Sequence, residues 1–261
     1  MSVQTLYTAA TGMDTMQTRL DVIANNLANI NTTGFKRNRA NIEDSFYRNY
    51  VYPNQTTPTG TAVGLGSRVQ STQTEQRQGS SMDTGNPLDV AIEGRGYFVV
   101  NDPSTGQQLY TRAGNFSLNA NGQMVMGSAS IGRLVEPNIT VPQDATSISV
   151  GADGQVFYTQ AGSTTAQQAG QLQLAIFPNP EGLIKKGDNL YQQSDASGNV
   201  TQGIPGQQGI GILRGGSLEA SNVEPVTELI DLITTQRSFE LNGQAIQAGD
   251  QILQLISNLR R

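Results

Sequence analysis

The chain has 261 residues, enough for one large domain or two modest ones, with 36% hydrophobic and only 14% charged residues. It contains no Cys, His or Trp, which excludes the common zinc sites, Ser-His-Asp triads, Cys-His dyads, CxxC redox chemistry and disulfides. A net charge of −5 argues against a nucleic-acid partner, which calls for a basic face. The N-terminus MSVQTLYTAATGMDTM lacks the basic and apolar regions of a cleaved signal peptide. No stretch approaches the roughly 20 apolar residues of a transmembrane segment. Carboxylate, Lys, Tyr or Ser chemistry remains possible, and no cofactor or metal is expected. The 29 Gly and many Gln, Asn, Ser and Thr give a thin core and a neutral polar surface, which suits pairing with copies of itself.

In chain order, Leu6, Ala9, Met13, Met16, Leu20, Ile23, Leu27 and Ile30 recur at spacings of three and four, which predicts an amphipathic helix over residues 3–30. Gly34 is expected to stop it in the left-handed conformation, with Lys36, Arg37 and Arg39 beyond. Three asparagines, Asn25, Asn26 and Asn29, weaken the last turns. They are either a fraying end or amides that bond across to neighbouring helices.

Residues 46–86 read as an extended connector rich in Thr, Gly, Gln and Pro. From about 88 to 215 the pattern changes to short strands: Leu88–Ile92, Tyr97–Val100, hairpin turns at Asn121-Gly122 and Asp153-Gly154, and the alternating run QLQLAIF at 171–177. A second helix follows. Ser221 and Glu224 fit a capping box, with Pro225 in the first turn. Val226, Ile230, Ile233, Arg237, Leu241, Ala245, Ala248, Ile252, Leu255 and Leu259 form its seam. Acidic residues crowd its start, and Arg260 and Arg261 close it.

The expected fold is α+β. The N- and C-terminal helices, 1–34 and 216–261, pair as an antiparallel coiled coil, joined by an extended connector, 35–87, to a central all-β domain, 88–215. The seam residues Leu6, Met13, Leu20, Ile23, Leu27, Ile252 and Leu255 are either the core of a helical hairpin or a surface buried between subunits. Gln236 and Arg237 are either a solvated face or an inter-subunit contact.

Three motifs carry a resemblance. The run Asp21-Val22-Ile23-Ala24-Asn25-Asn26-Leu27-Ala28-Asn29, followed by Asn31-Thr32-Thr33-Gly34-Phe35-Lys36, resembles the N-terminal signature of flagellar rod and hook proteins. Gly216-Ser217-Leu218-Glu219-Ala220-Ser221-Asn222-Val223, with Gln236-Arg237-Ser238-Phe239-Glu240, is similar to the C-terminal signature, and Asp89–Phe98 to the stretch entering the β domain. The resemblance implies a subunit exported unfolded through the flagellar export apparatus. It implies a straight helical homopolymer in the periplasmic part of the basal body, transmitting torque, with terminal helices inside and the β domain outside. Expected partners are proximal rod and hook subunits and the periplasmic and outer-membrane ring proteins. Ser221 and Asn222 join the assembly set, Phe35 as an anchor and Lys36 as a polar contact. Length, and the segment Phe46–Arg68, point to the distal rod, with a proximal rod or hook subunit as the alternative. A rival from another class is a secreted glycan hydrolase using Asp83, Asp89 or Glu93. Gly94-x-Gly96 is not a dinucleotide loop, because Val99 replaces the third glycine and no helix follows.

Overall fold

The computed structural model describes residues 3–55, 59–127, 132–162 and 165–259. Two compact units emerge, each discontinuous in sequence: Met1–Ala28, Asn38–Glu75 and Val223–Arg261 form one, and Asn29–Arg37 with Gln76–Asn222 form the other. The first is dominated by helices and the second by strands, so the chain is α+β.

In the helical unit, α1 (Val3–Ala28) and α2 (Pro225–Leu259) pack antiparallel. Leu6 lies against Gly249, Met13 against Gly243, and Gly12 against Asn242. Arg19 meets Asp231 at 3.4 Å, and Asn26 donates to Glu228 at 3.2 Å. The hydroxyls of Thr8, Thr11 and Thr15 bond the carbonyls three residues back, which satisfies them on the helix itself. The N-terminal seam half-buries Leu6, Met13, Leu20 and Leu27 and fully buries Ile23.

On α2 the expected seam lies on the far side from α1. Val226, Ile230, Ile233, Leu241 and Leu255 are between 50% and 69% exposed. The face that meets α1 instead carries Glu228, Thr235, Asn242, Gly243 and Gly249. Small and hydrogen-bonding residues let the two backbones approach, and the Leu- and Ile-rich stripe is left outward. Periodicity locates a stripe on a helix but not the partner it meets, and on α2 the stripe is the exposed surface rather than the core of the hairpin. The helix also starts at Pro225, so Ser221 lies upstream of the cap, and Glu224 accepts a bond from the Thr227 hydroxyl at 3.3 Å. Arg260 and Arg261 fall outside the described residues.

Where the sequence suggests a connector, strands Asn38–Asp44 and Ser67–Thr74 pair antiparallel with a bulge at Asn41/Ile42, and Tyr47–Val51 pairs with Thr61–Gly64. This ribbon packs on α1, where Thr15 and Ser67 share a hydroxyl bond of 3.2 Å. Phe46, Tyr47, Tyr50 and Tyr52 stand exposed on its outer half.

The second unit is built on a nine-stranded sheet. Its central strand, Tyr97–Asn101, pairs with Gln108–Thr111 on one side and Gly132–Glu136 on the other, and its start also pairs with Leu174–Ile176. Phe98 and Val100 enter one core with Ile92, Phe116, Met124 and Leu174, while Tyr97 and Val99 enter a second with Tyr110, Phe177 and Tyr191. Burial on both faces explains why this strand is an unbroken hydrophobic run. Edge-to-face ring pairs reinforce both cores, Phe98–Phe116 at 4.9 Å and Tyr110–Phe177 at 4.8 Å, worth about 0.5–1.5 kcal/mol each beyond area burial.

Both predicted hairpins form, between Phe116–Leu118 and Met124–Gly127 and between Ala145–Val150 and Gln155–Gln160. Their turn glycines, Gly122 and Gly154, have φ of 74° and 82°. The run 171–177 divides between two sheets, Gln167–Gln171 in a three-stranded one and Leu174–Ile176 in the large one, with buried Leu172 between. Val90–Glu93 pairs with Ile212–Gly215, and Ser81–Asp83 with Ser217–Glu219, which brings the residues before α2 back to the start of the sheet.

Gly114 closes this unit tightly, because a Cβ there would overlap the Val90 carbonyl oxygen. Gly114→Ala is expected to lower urea-unfolding stability by about 1–3 kcal/mol through overpacking. Gly132→Ala, which meets nothing within 4 Å, is expected to stay within about 0.5 kcal/mol of the parent.

Candidate functional site

Two polar clusters and one apolar stripe gather the residues singled out in the sequence. In the β-rich unit, strand Ser217–Glu219 carries Glu219 into the interior, where it is 1% exposed. Lys36, also 1% exposed, donates to Glu219 Oε1 at 2.6 Å and to the Arg77 carbonyl at 2.8 Å. The Gly79 amide donates to the same carboxylate oxygen at 2.9 Å. Arg112 donates to Oε2 at 3.3 Å and to the Gly94 carbonyl at 2.8 Å, and its guanidinium stacks 5.3 Å from the Tyr97 ring. Two cations thus share one buried anion.

Burial pushes the Lys36 pKa below its ordinary value, opposed by Glu219 and reinforced by the Arg112 charge. Burial also pushes the Tyr97 hydroxyl up to about 12. Lys36 and Glu219 are sealed from solvent, and their hydrogen bonds are spent inside the unit. Their chemistry is structural.

Asn222 extends the cluster. Its Oδ1 accepts from the Arg37 amide at 2.7 Å, and its Nδ2 donates to the Arg77 carbonyl at 2.9 Å, the oxygen that Lys36 also uses. Gly34 N–H donates to the Glu219 carbonyl at 2.8 Å. Gly34 does adopt φ of 69°, but six residues after α1 ends. A Cβ there would sit 2.8 Å from the Ala113 nitrogen, so its role is close backbone approach rather than helix termination. Phe35 is half-buried, and Lys185 stands 5.5 Å over its ring.

In the helical unit, Asn26 is 1% exposed. Its Nδ2 donates to the Asn38 carbonyl at 2.8 Å and to the Glu228 carboxylate at 3.2 Å, and its Oδ1 accepts from the Asn38 amide at 2.9 Å. The side chain is therefore committed within the chain. Asn25 is exposed and Asn29 half-buried. Gln236 is exposed beside the α2 stripe and Arg237 exposed within it, and Ile252 is half-buried. Glu219, Arg112 and Glu228 are the members that sequence reasoning did not place. Glu219 and Glu228 read as helix-start acids, and nothing in spacing links Lys36 to partners 183 residues away.

The carboxylates considered for glycan chemistry are occupied. Asp89 accepts from Thr84 and Asn86, Asp83 from Ser217 and Arg214, and Glu93 lies 3.5 Å from Arg214.

Three families match the chain. "Flagella basal body rod protein" covers residues 6–36, "Flagellar hook protein FlgE/F/G D1 domain" covers 91–158, and "Flagellar basal body rod FlgEFG protein C-terminal" covers 214–259. The chain is 44% identical to the flagellar basal-body rod protein FlgG of Caulobacter vibrioides, over 99% of this chain and 100% of the relative. It is 42% identical to that of Agrobacterium fabrum, over 98% of both. With that of Bacillus subtilis it is 39% identical, over 99% of this chain and 100% of the relative.

Each matched segment contributes one charged member of the buried cluster: Lys36, Arg112 and Glu219. Glu219→Gln, which leaves two cations without their anion, is expected to cost about 3–5 kcal/mol in chemical denaturation. A double-mutant cycle with Lys36→Met should show strong coupling. The depressed Lys36 pKa means that the folded chain binds fewer protons than the unfolded one just below the ordinary lysine value of 10.5. Stability contributed by this group therefore rises as pH rises through that window, and Lys36→Met should flatten the rise.

Proposed function

The chain belongs to the family of flagellar basal-body rod proteins, and we propose that it builds the straight distal segment of the rod. It is a structural subunit of the flagellar basal body and not an enzyme. In the proposed assembly, copies add to one another as a helical homopolymer that crosses the periplasm and carries torque toward the hook. Its neighbours along the axis are proximal rod and hook subunits, and the ring proteins surround it. The terminal helices α1 and α2 form the inner layer, and the β-rich unit forms the outer domain. Export as an unfolded chain through the flagellar export apparatus agrees with a sequence that has no cysteine to cross-link.

The observation that carries this reading is the outward apolar stripe of α2. Val226, Leu229, Ile230, Ile233, Leu241 and Leu255 are large, exposed and aligned along one side of a 35-residue helix. Full burial of such a side chain is worth about 1.5–3 kcal/mol. Their sum is comparable to the roughly 4–15 kcal/mol cost of immobilising a partner. A single pairing is therefore marginal, whereas a tube, in which each subunit meets several neighbours, is favoured. Leu255, Ile252 and Arg237 within the stripe, with Gln236 on its flank, are the members of the sequence-derived set assigned to this surface. Asn26, Lys36 and Asn222 hold the subunit's own fold.

Ile233→Asp is expected to abolish polymerisation, read by sedimentation and electron microscopy. The unfolding free energy of the dilute chain should change by no more than about 0.5 kcal/mol. Intact polymers from this variant, or a marked loss of monomer stability, would reject the stripe as the assembly surface.

A further inference from the structure

One cleft in the β-rich unit serves none of the roles described above. It encloses about 330 Å³, at the small end of the roughly 300–1,000 Å³ typical of ligand sites. Tyr97, Phe177, Pro178 and Pro180 give it an apolar lining, and Arg95 and Arg112 give it positive charge. No carboxylate lines it. In a chain of net charge −5, this is a local reversal of sign.

Arg112 is the informative residue. It is 5% exposed, and its two terminal nitrogens are engaged by Glu219 and the Gly94 carbonyl, which fixes its charge at the cleft wall. Arg95 is exposed on the same cleft and adds a second guanidinium. The Gln76 side chain is already spent on the Tyr97 hydroxyl and the Pro180 carbonyl, which fixes that wall in place. Gly96 and Gly209, with φ of 146° and 78°, present bare backbone at the lining.

We propose that this cleft binds a carboxylate carried on an apolar body, as presented by an acidic peptide segment with an adjacent aromatic side chain. The carboxylate accepts from Arg95 and lies in the field of the fixed Arg112 guanidinium, and the apolar body packs against Tyr97, Phe177 and the two prolines. The site belongs to the single chain and holds whether or not the chain polymerises.

The test uses fluorine NMR of 4-fluorophenylacetate and of its neutral amide with the full chain. The acid is expected to bind saturably and the amide about tenfold more weakly or worse, the scale of one charge-assisted hydrogen bond. Arg95→Gln, a change at an exposed residue, should weaken the acid by a similar factor and leave the amide unaffected. The dipeptide N-acetyl-Phe-Asp-amide should compete with the acid. No saturable binding, equal binding of acid and amide, or acid binding indifferent to Arg95→Gln overturns the site. Acid binding without competition by the dipeptide overturns its assignment to a peptide segment.

Discussion

The buried Glu219 carboxylate is the interaction on which the β-rich unit depends. An ionised carboxylate out of water is tolerable only when its lone pairs are filled by donors of opposite charge. Here Lys36, Arg112 and the Gly79 amide fill them. Each donor comes from a different part of the chain, so satisfying one anion fixes the relative position of all of them. Asn222 repeats the device with a neutral amide, joining the backbone at Arg37 and Arg77. Apolar packing of comparable area would hold these segments but would tolerate sliding. Directional bonds to a sealed charge do not.

The helical unit resolves a different conflict. Two helices could have closed on each other through their richest apolar stripes, giving a self-sufficient hairpin. Instead α1 spends its seam on the glycine and polar side of α2, with Gly243 and Gly249 allowing close approach and the Asn26–Glu228 bond setting register. The result is a subunit with enough contact to hold its helices together and a long apolar surface kept in reserve. Among the described residues no helix is long and apolar enough to cross a membrane.

How far the sequence could be read follows from the range of each interaction. Local rules place both helices, the two Gly-centred hairpin turns and the doubly buried strand Tyr97–Val100, because period, propensity and turn chemistry act over a few residues. The same rules fail for Lys36. A lysine beside a helix end looks solvated, and only the tertiary fold brings Glu219 to it. Gly34 shows the limit in finer form: its left-handed backbone was legible, but its purpose, a close approach to Ala113, was not. The α2 stripe was found correctly as a stripe, and its outward orientation was not encoded in its spacing. The ribbon at 38–74 was hidden by its Thr, Gln and Pro content, which reads as unstructured although its ladder is regular.

The Lys36–Glu219 bond also bears on when the chain becomes a folded object. The two residues are 183 positions apart, and closing a flexible loop of that length costs on the order of 5 kcal/mol in chain entropy. That cost can be met only once both ends of the loop are present together. A chain threaded through a narrow passage with its N-terminal part ahead would carry Lys36 out early and meet no anion for it until Glu219 had followed. The unit cannot seal its interior on a fragment. Closure thus reports that more than four-fifths of the polypeptide has arrived, and the contact works as a completion signal written into the fold.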